Sequence, residues 1–301
     1  MSNDALTLRS YLLLAAAIFG WGISWPFLKI GLSEIPPWTF RGLVAPTAAA
    51  VIVVVGLAMK QKIQLPHGEW RQVVTAGFFN IFLWHSLSAY GISLMLSGQA
   101  AIVAYTMPLW AVILSMLFIG EKPTAKRIFG LVIGLSGIMV LALGKLGVMA
   151  TSPLGTLFML LAAVAWGAGT VVQKHYTWRI PTLTNVVWQM LLGGIPITII
   201  AIIMEHDMWH PVSLDAVLAT LFVLVYPIVF CWFAWFHIVD KVPVSVSSVS
   251  ILGAPILGVF SGHIVLGEPV GWREISALIL VCVSLALVLL PERKPADISD
   301  S

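Results

Sequence analysis

Two segments of the chain repeat one arrangement of tryptophan, polar residue and lysine. WGISWPFLK (21–29) and WGAGTVVQK (166–174) both begin with Trp-Gly and end with lysine eight residues later. Trp21 and Trp25 are four residues apart and therefore share one face of a helix. We predict that Trp21, Trp25 and Trp166 line a binding surface. In the alternative interpretation the tryptophans only pack between helices, and the lysines extend to a polar boundary.

A second group of polar and aromatic residues falls in a later apolar run. Asn80, Trp84 and Ser88 recur every four residues, and His85 is adjacent. Polar groups in an apolar environment are costly unless they meet each other or a water-filled cavity. We predict that Asn80, Trp84 and His85 line such a cavity. The alternative is a hydrogen bond between helices that only stabilises their packing.

An aromatic stripe follows in the second half of the chain. Tyr226, Phe230, Phe233 and His237 are spaced 4, 3 and 4 residues apart, so they also share a helix face. A stripe of this kind is compatible with ordinary packing. We include Tyr226 and Phe230 in the predicted binding surface, because their helix is the counterpart of the one that carries Asn80.

Prolines inside two further apolar runs suggest hinges. Gln99 and Tyr105 come just before Pro108, and Pro255 occupies the matching place in the second half. A proline within a helix removes one backbone hydrogen bond and kinks the helix. We predict that Pro108 and Pro255 are paired hinges and that Gln99 and Tyr105 face the substrate. A static kink is the alternative.

The composition indicates which elements must position these residues. Of the 301 residues, 59% are hydrophobic and 10% are charged, against roughly 25% charged residues in a typical soluble domain. A membrane helix needs about 20 mostly apolar residues. We predict an all-α integral membrane protein with ten transmembrane helices, at 9–29, 37–58, 70–90, 98–119, 124–144, 153–174, 182–204, 214–238, 243–266 and 271–290.

The basic residues predict the orientation of the chain. Lysine and arginine favour the cytoplasmic side of a membrane. With the N-terminus cytoplasmic, only Lys29, Arg41, Lys145 and Arg273 of the 16 basic residues fall on the opposite side. We therefore expect both termini to be cytoplasmic.

A longer repeat indicates an internal duplication. MPLWAVILSMLFIGEKP and APILGVFSGHIVLGEP align at an offset of 147 residues, which pairs Pro108 with Pro255 and Glu121 with Glu268. Each copy would hold five helices, and five is odd, so the second copy would cross the membrane in the opposite sense. We expect domains at 1–147 and 148–291, followed by a disordered cytoplasmic tail at 292–301.

These motifs carry a resemblance to a known family. The residues concerned are Trp21-Gly22, Trp166-Gly167, Pro108, Gly120-Glu121, Pro255 and Gly267-Glu268. With them the chain resembles ten-helix members of the drug/metabolite transporter superfamily, of the EamA type, and within it the exporters of aromatic and other neutral amino acids. The resemblance implies a central cavity lined by the first, third and fourth helices of each half, with the fifth at the periphery.

Missing residue types narrow the function. No aspartate or glutamate lies in the middle of a predicted span, and we see no cluster of basic residues there. Membrane carboxylates are the usual proton relays and partners of cationic drugs, so the pattern favours a neutral or zwitterionic substrate. Proton transfer through His85 stays open. We find no HExxH, GxSxG or paired carboxylates, which argues against an enzyme.

The sequence thus predicts a secondary transporter in a bacterial inner membrane that exports amino acids by alternating access. The alternative is efflux of other small metabolites, nucleosides or toxic organic compounds. We expect no cofactor, no metal and no nucleic-acid partner. Gly130 and Gly134 form a GxxxG motif, as do Gly258 and Gly262; such motifs favour close helix packing, either within one chain or in a homodimer.

Overall fold

The part of the chain that the structure describes is built of helices and contains no strand. The computed structural model describes residues 8–61, 63–120, 122, 124–143, 152–232, 234 and 253–289. The α-helices, numbered in chain order, are α1 Leu8–Glu34, α2 Pro37–Ala58, α3 Trp70–Gly77, α4 Trp84–Leu94, α5 Ser97–Ala104, α6 Met107–Phe118, α7 Ala125–Leu143, α8 Pro153–His175, α9 Thr182–Met204, α10 Leu214–Val223, α11 Gly253–Leu266 and α12 Trp272–Leu289. The predicted tail at 292–301, Glu121, Phe233 and His237 lie outside the described residues.

Five helical segments are long and apolar enough to cross a membrane. They are Ser10–Glu34, Pro37–Ala58, Ser97–Phe118, Pro153–His175 and Thr182–Met204. Two shorter apolar helical segments, Leu214–Phe230 and Gly253–Leu266, accompany them. Large apolar side chains cover the outside of the bundle; Ile203 is 75% exposed, as suits a surface that faces lipid. Ten spans remain a prediction.

Two π-helical segments interrupt the regular α-helical backbone. Phe78–Leu83 joins α3 to α4, and Leu224–Phe230 continues α10. The wider π turn shifts every later side chain around the helix axis, and such segments often occur at functional sites. The second segment contains Pro227, which has no N–H to donate to the preceding turn. The segment Phe78–Leu83 contains no proline or glycine from which a π turn could have been predicted.

The predicted fourth helix is divided into two. α5 ends at Ala104 and α6 begins at Met107, with Tyr105 and Thr106 forming a turn between them. Pro108 lies in the first turn of α6, where its missing N–H leaves no intrahelical bond unmade. The helical segment Ser97–Phe118 is thus interrupted just before Pro108, and a hinge at this point stays a prediction. Pro255 lies two residues after the first described residue of α11, and the residues before Gly253 lie outside the described ranges.

Contacts between early and late helices hold the bundle together. α2 packs against α9, α7 against α12, and α1 against α11 and α10, while α8 packs against α4, α5 and α6. Fully buried side chains such as Phe40, Ile92, Met159 and Met190 form one apolar cluster between these helices. The core is thus shared by distant parts of the chain.

The glycine of each Trp-Gly motif allows a close helix crossing. A Cβ atom at Gly22 would lie 2.5 Å from Cβ of Leu257 on α11. A Cβ atom at Gly167 would lie 2.9 Å from Cβ of Trp110 and 2.8 Å from the backbone nitrogen of Ala111 on α6. Separations this short are not tolerated between carbon atoms in close-packed interiors. The repeated motif therefore serves helix packing in both places.

Both GxxxG motifs pack within the chain. A Cβ at Gly130 or Gly134 would meet α12, and Ser284 Oγ donates a hydrogen bond of 2.6 Å to the carbonyl oxygen of Gly130. A Cβ at Gly258 would lie 2.7 Å from Cβ of Ala101 on α5. The face of α7 that carries Gly130 and Gly134 is therefore covered by α12. A homodimer remains a prediction.

Candidate functional site

Four tryptophans from distant parts of the chain lie in one row. The ring centroids of Trp84 and Trp166 are 5.2 Å apart, those of Trp166 and Trp232 are 6.0 Å apart, and those of Trp232 and Trp21 are 6.2 Å apart. The outer two pairs are edge-to-face, an arrangement that aromatic quadrupoles favour. We call Trp84, Trp166, Trp232 and Trp21 the tryptophan row. Three of the four, Trp21, Trp84 and Trp166, belong to the predicted binding surface.

Trp232 is the member of the row that sequence reasoning missed. It lies just beyond the π segment Leu224–Phe230, two residues after Phe230. The repeat offsets of 145 and 147 residues pair Trp84 with positions 229 to 231, immediately before Trp232. Aligning the two halves would therefore have indicated this part of the helix as the counterpart of Trp84. The π segments shift the register of this helix, so simple counting does not identify the residue.

The second π segment fixes one end of the row. Trp21 Nε1 donates a hydrogen bond of 2.9 Å to the carbonyl oxygen of Pro227. Tyr226 packs against Phe230 with ring centroids 5.4 Å apart, and its hydroxyl group donates to the carbonyl oxygen of Ala16 at 3.1 Å. Tyr226 and Phe230 are thus placed beside α1. The wide turn supplies the carbonyl that orients the Trp21 ring.

Trp25 and Tyr105 form a separate aromatic pair. Their rings meet edge-to-face with centroids 6.1 Å apart, and Trp25 is 6% exposed. Trp25 Nε1 is buried at this contact. Because Tyr105 belongs to the turn between α5 and α6, this pair ties α1 to the break in the fourth predicted helix.

Asn80 belongs to a chain of buried side-chain amides. Its Nδ2 donates to Gln189 Oε1 at 3.0 Å, and Gln189 Nε2 donates to Asn185 Oδ1 at 2.7 Å. The amide group of Asn80 fills the space where Gly169 lacks a side chain. Asn80 therefore connects the first π segment to α8 and α9, which is the geometry of the interhelical hydrogen bond that we considered as the alternative.

Polar residues gather at the end of the bundle where α1 ends and α2 begins. Gln99 Nε2 donates to Glu274 Oε1 at 3.1 Å, and both residues border a small cavity that Glu268 also lines. Lys29 Nζ donates to the carbonyl oxygens of Ile92 and Ser93 at 2.9 and 2.8 Å. Lys29 therefore caps the C-terminal end of α4.

Arg41 is buried, which its predicted place near a membrane boundary did not suggest. It lies in the second turn of α2 and is 3% exposed. Its Nη2 donates to Ser88 Oγ at 3.1 Å, whereas its Nε has no acceptor among the described residues. His85 is 8% exposed, and its Nδ1 is likewise without a partner there. We call Arg41, His85 and Ser88 the Arg41 cluster.

The described residues contain no group of three or more histidine, cysteine, aspartate or glutamate side chains that could hold a metal ion. What the fold does bring together is an aromatic row from four helices and, one turn further along α4, a buried basic cluster. The tryptophan row can contact an apolar group of a ligand, and the Arg41 cluster can bind a negatively charged group.

Comparison with known proteins identifies a matching family. The profile of the EamA-like transporter family matches residues 8–143 and again residues 153–290. The uncharacterized transporter YvbV of Bacillus subtilis (strain 168) is 27% identical over 281 residues, which cover 93% of this chain and 91% of YvbV. The uncharacterized inner membrane transporter YedA of Escherichia coli (strain K12) is 25% identical over 294 residues, which cover 94% and 92%.

A solved structure shares the fold. One protein known from a crystal structure aligns with a TM-score of 0.68 at 23% sequence identity, covering 93% of this chain and 96% of that chain. Similarity at this level of identity concerns the fold alone.

Proposed function

Because the chain belongs to the EamA-like transporter family, we propose that this multi-pass membrane transporter exports amino acids, aromatic and other neutral ones, across a bacterial inner membrane. The family profile matches twice along the chain, within the family's drug/metabolite transporter superfamily, and the relatives above carry the name of transporter. The words "inner membrane" in the name of YedA support the proposed location in a bacterial inner membrane.

The tryptophan row carries the proposal for the substrate. Its rings come from both family-matched segments, with Trp21 and Trp84 in the first and Trp166 and Trp232 in the second. A surface of aromatic rings favours a substrate with an apolar or aromatic side chain, since such rings bind one another edge to face. Aromatic and large neutral amino acids have side chains of this kind.

Alternating access is the proposed mechanism. Ten helices would form two inverted halves that enclose the row, with both termini cytoplasmic. Exchanging α1 for α8, α2 for α9 and α7 for α12 relates several contacts of the bundle. The contact of α1 with α11 then corresponds to that of α8 with α6, and the contacts of α2 with α9 and of α7 with α12 correspond to themselves. Such symmetry suits halves that exchange conformations. The turn before Pro108 and the residue Pro255 are the proposed hinges.

The experiment is transport by the purified protein in proteoliposomes. Radiolabelled phenylalanine, methionine and threonine are supplied separately, with and without a proton gradient, and empty liposomes serve as the control. We expect saturable uptake of phenylalanine. Transport of none of the three would contradict amino-acid export. Stronger inhibition of phenylalanine uptake by nucleosides or organic cations than by unlabelled amino acids would instead favour the alternative substrates.

A further inference from the structure

A buried arginine needs negative charge or several acceptors nearby. Burying an unpaired ion in a medium of low polarity is very costly, and charged residues within membrane helices usually face a partner or a cavity. Arg41 is 3% exposed and makes no salt bridge with any described residue. A guanidinium has five N–H donors, and the hydrogen bond to Ser88 occupies one of them.

The neighbours of Arg41 suit an anion. Ser88 is fully buried and accepts the hydrogen bond from Arg41, while its own hydroxyl is directed to the carbonyl oxygen of His85 at 3.3 Å. His85 Nδ1 is enclosed without a partner among the described residues. Arg41 Nε and His85 Nδ1 are thus two buried polar atoms of one cluster that lack partners. Two acid side chains at this end are used elsewhere: Glu205 caps α2 through Thr39, and Glu268 caps α5 through Ser97.

The cluster also lies close to the tryptophan row along the chain. Ser88 follows Trp84 by four residues on α4, which places it about one helical turn, or roughly 6 Å, further along the same face. His85 follows Trp84 directly. A small molecule whose apolar part meets Trp84 would therefore have its other end near this cluster.

We propose that the Arg41 cluster binds the carboxylate group of the transported substrate. Arg41 provides the positive charge and the forked N–H groups that match two carboxylate oxygens; Ser88 orients the guanidinium, and His85 supplies a further polar contact. This inference rests on the proposed transport of amino acids, and it defines the substrate class as small molecules with a carboxylate beside an apolar group.

The test compares two ligands of nearly equal shape. Phenylacetate carries a carboxylate, whereas phenylacetamide carries a neutral amide in its place. Binding of each to the detergent-purified protein is measured from the dependence of the thermal unfolding midpoint on ligand concentration. The wild-type protein is expected to bind phenylacetate at least about tenfold more tightly, because a charge-assisted hydrogen bond is roughly twice as strong as a neutral one.

Substitution then assigns this difference to Arg41. Arg41→Met is expected to weaken phenylacetate binding about tenfold or more and to leave phenylacetamide binding within about twofold, as loss of one charged hydrogen bond implies. Arg273→Met removes the same charge beside the exposed Trp272 ring and should behave like the wild-type protein. Arg41→Lys keeps the positive charge without the forked N–H groups, and we expect it to bind phenylacetate with intermediate affinity. This variant serves as the test if Arg41→Met does not fold.

The outcomes separate this inference from the proposed function. Equal binding of the two ligands by the wild-type protein, or unchanged phenylacetate binding in every Arg41 variant that folds, would overturn the carboxylate site. Preference for phenylacetate that depends on Arg41 would support it even if no amino acid is transported in proteoliposomes. In that case the substrate would be another apolar carboxylate, and only amino-acid export would be wrong.

Discussion

Glu268 accepts a hydrogen bond of 2.6 Å from the backbone nitrogen of Ser97, although 171 residues separate them. Its second oxygen accepts from Gly98 N at 2.9 Å and from Ser97 Oγ at 3.0 Å. Gly267, with a φ angle of +66°, makes the turn that ends α11, and glycine adopts this conformation without strain. The Gly-Glu motif therefore ends one helix and caps the beginning of another.

Replacing the capping carboxylate should destabilise the fold. Glu268→Gln removes the negative charge at the N-terminus of α5 and turns one acceptor into a donor that faces N–H groups. We expect a loss of about 1–3 kcal/mol in the free energy of unfolding, as for a buried hydrogen bond to a charged group. Thermal unfolding in detergent measures the effect. Asp207→Asn, at an exposed residue, is the matched control, and an equal unfolding midpoint for both variants would argue against the cap.

The glycines of the repeated Trp-Gly motif should not tolerate a methyl group. Gly22→Ala and Gly167→Ala would each place Cβ within 3.0 Å of a neighbouring helix. We expect each to cost about 1–3 kcal/mol, the range for overpacking a close-packed interior. Gly68→Ala is the control, because a Cβ there would meet no atom within 4 Å. Unfolding midpoints in detergent would disprove the packing role if all three variants matched the wild-type protein.

Removing rings of the tryptophan row should weaken transport. Trp21→Ala and Trp166→Ala are expected to raise the KM for phenylalanine about 2- to 12-fold, since one aromatic contact contributes about 0.5–1.5 kcal/mol. Membrane insertion should be unchanged. Trp272→Ala, at a tryptophan that is 70% exposed, controls for the loss of a ring elsewhere. Normal transport by both row variants would mean that the row does not bind substrate.

Reporter fusions test the proposed inversion of the halves. A reporter after residue 146 and another at the C-terminus should lie on opposite sides of the membrane, because five further helices separate them in the ten-helix arrangement. Paired reporters that are active on opposite sides, such as green fluorescent protein and alkaline phosphatase, measure this directly. Signals from the same side at both positions would contradict the inverted pairing and the mechanism built on it.

Much of the architecture could be predicted from local sequence. Helix type, the approximate bounds of the long apolar helices and the duplication follow from hydrophobic runs and repeated motifs, because a helix in lipid must satisfy its own backbone and present apolar side chains. Trp21 and Trp166 were selected from the repeated Trp-Gly motif, and Trp84 from its spacing with Asn80 and Ser88; that they bind substrate stays a prediction.

The π segments, the turn before Pro108 and the burial of Arg41 could not be predicted in this way. Two of these features involve atoms of distant helices: Pro227 in the second π segment presents its carbonyl to Trp21, and Ser88 receives the guanidinium of Arg41. Sequence alone determined that the chain forms apolar helices in two related sets. Which polar side chains are buried together was decided by tertiary structure, since burial and hydrogen bonding are properties of pairs of helices and not of one helix.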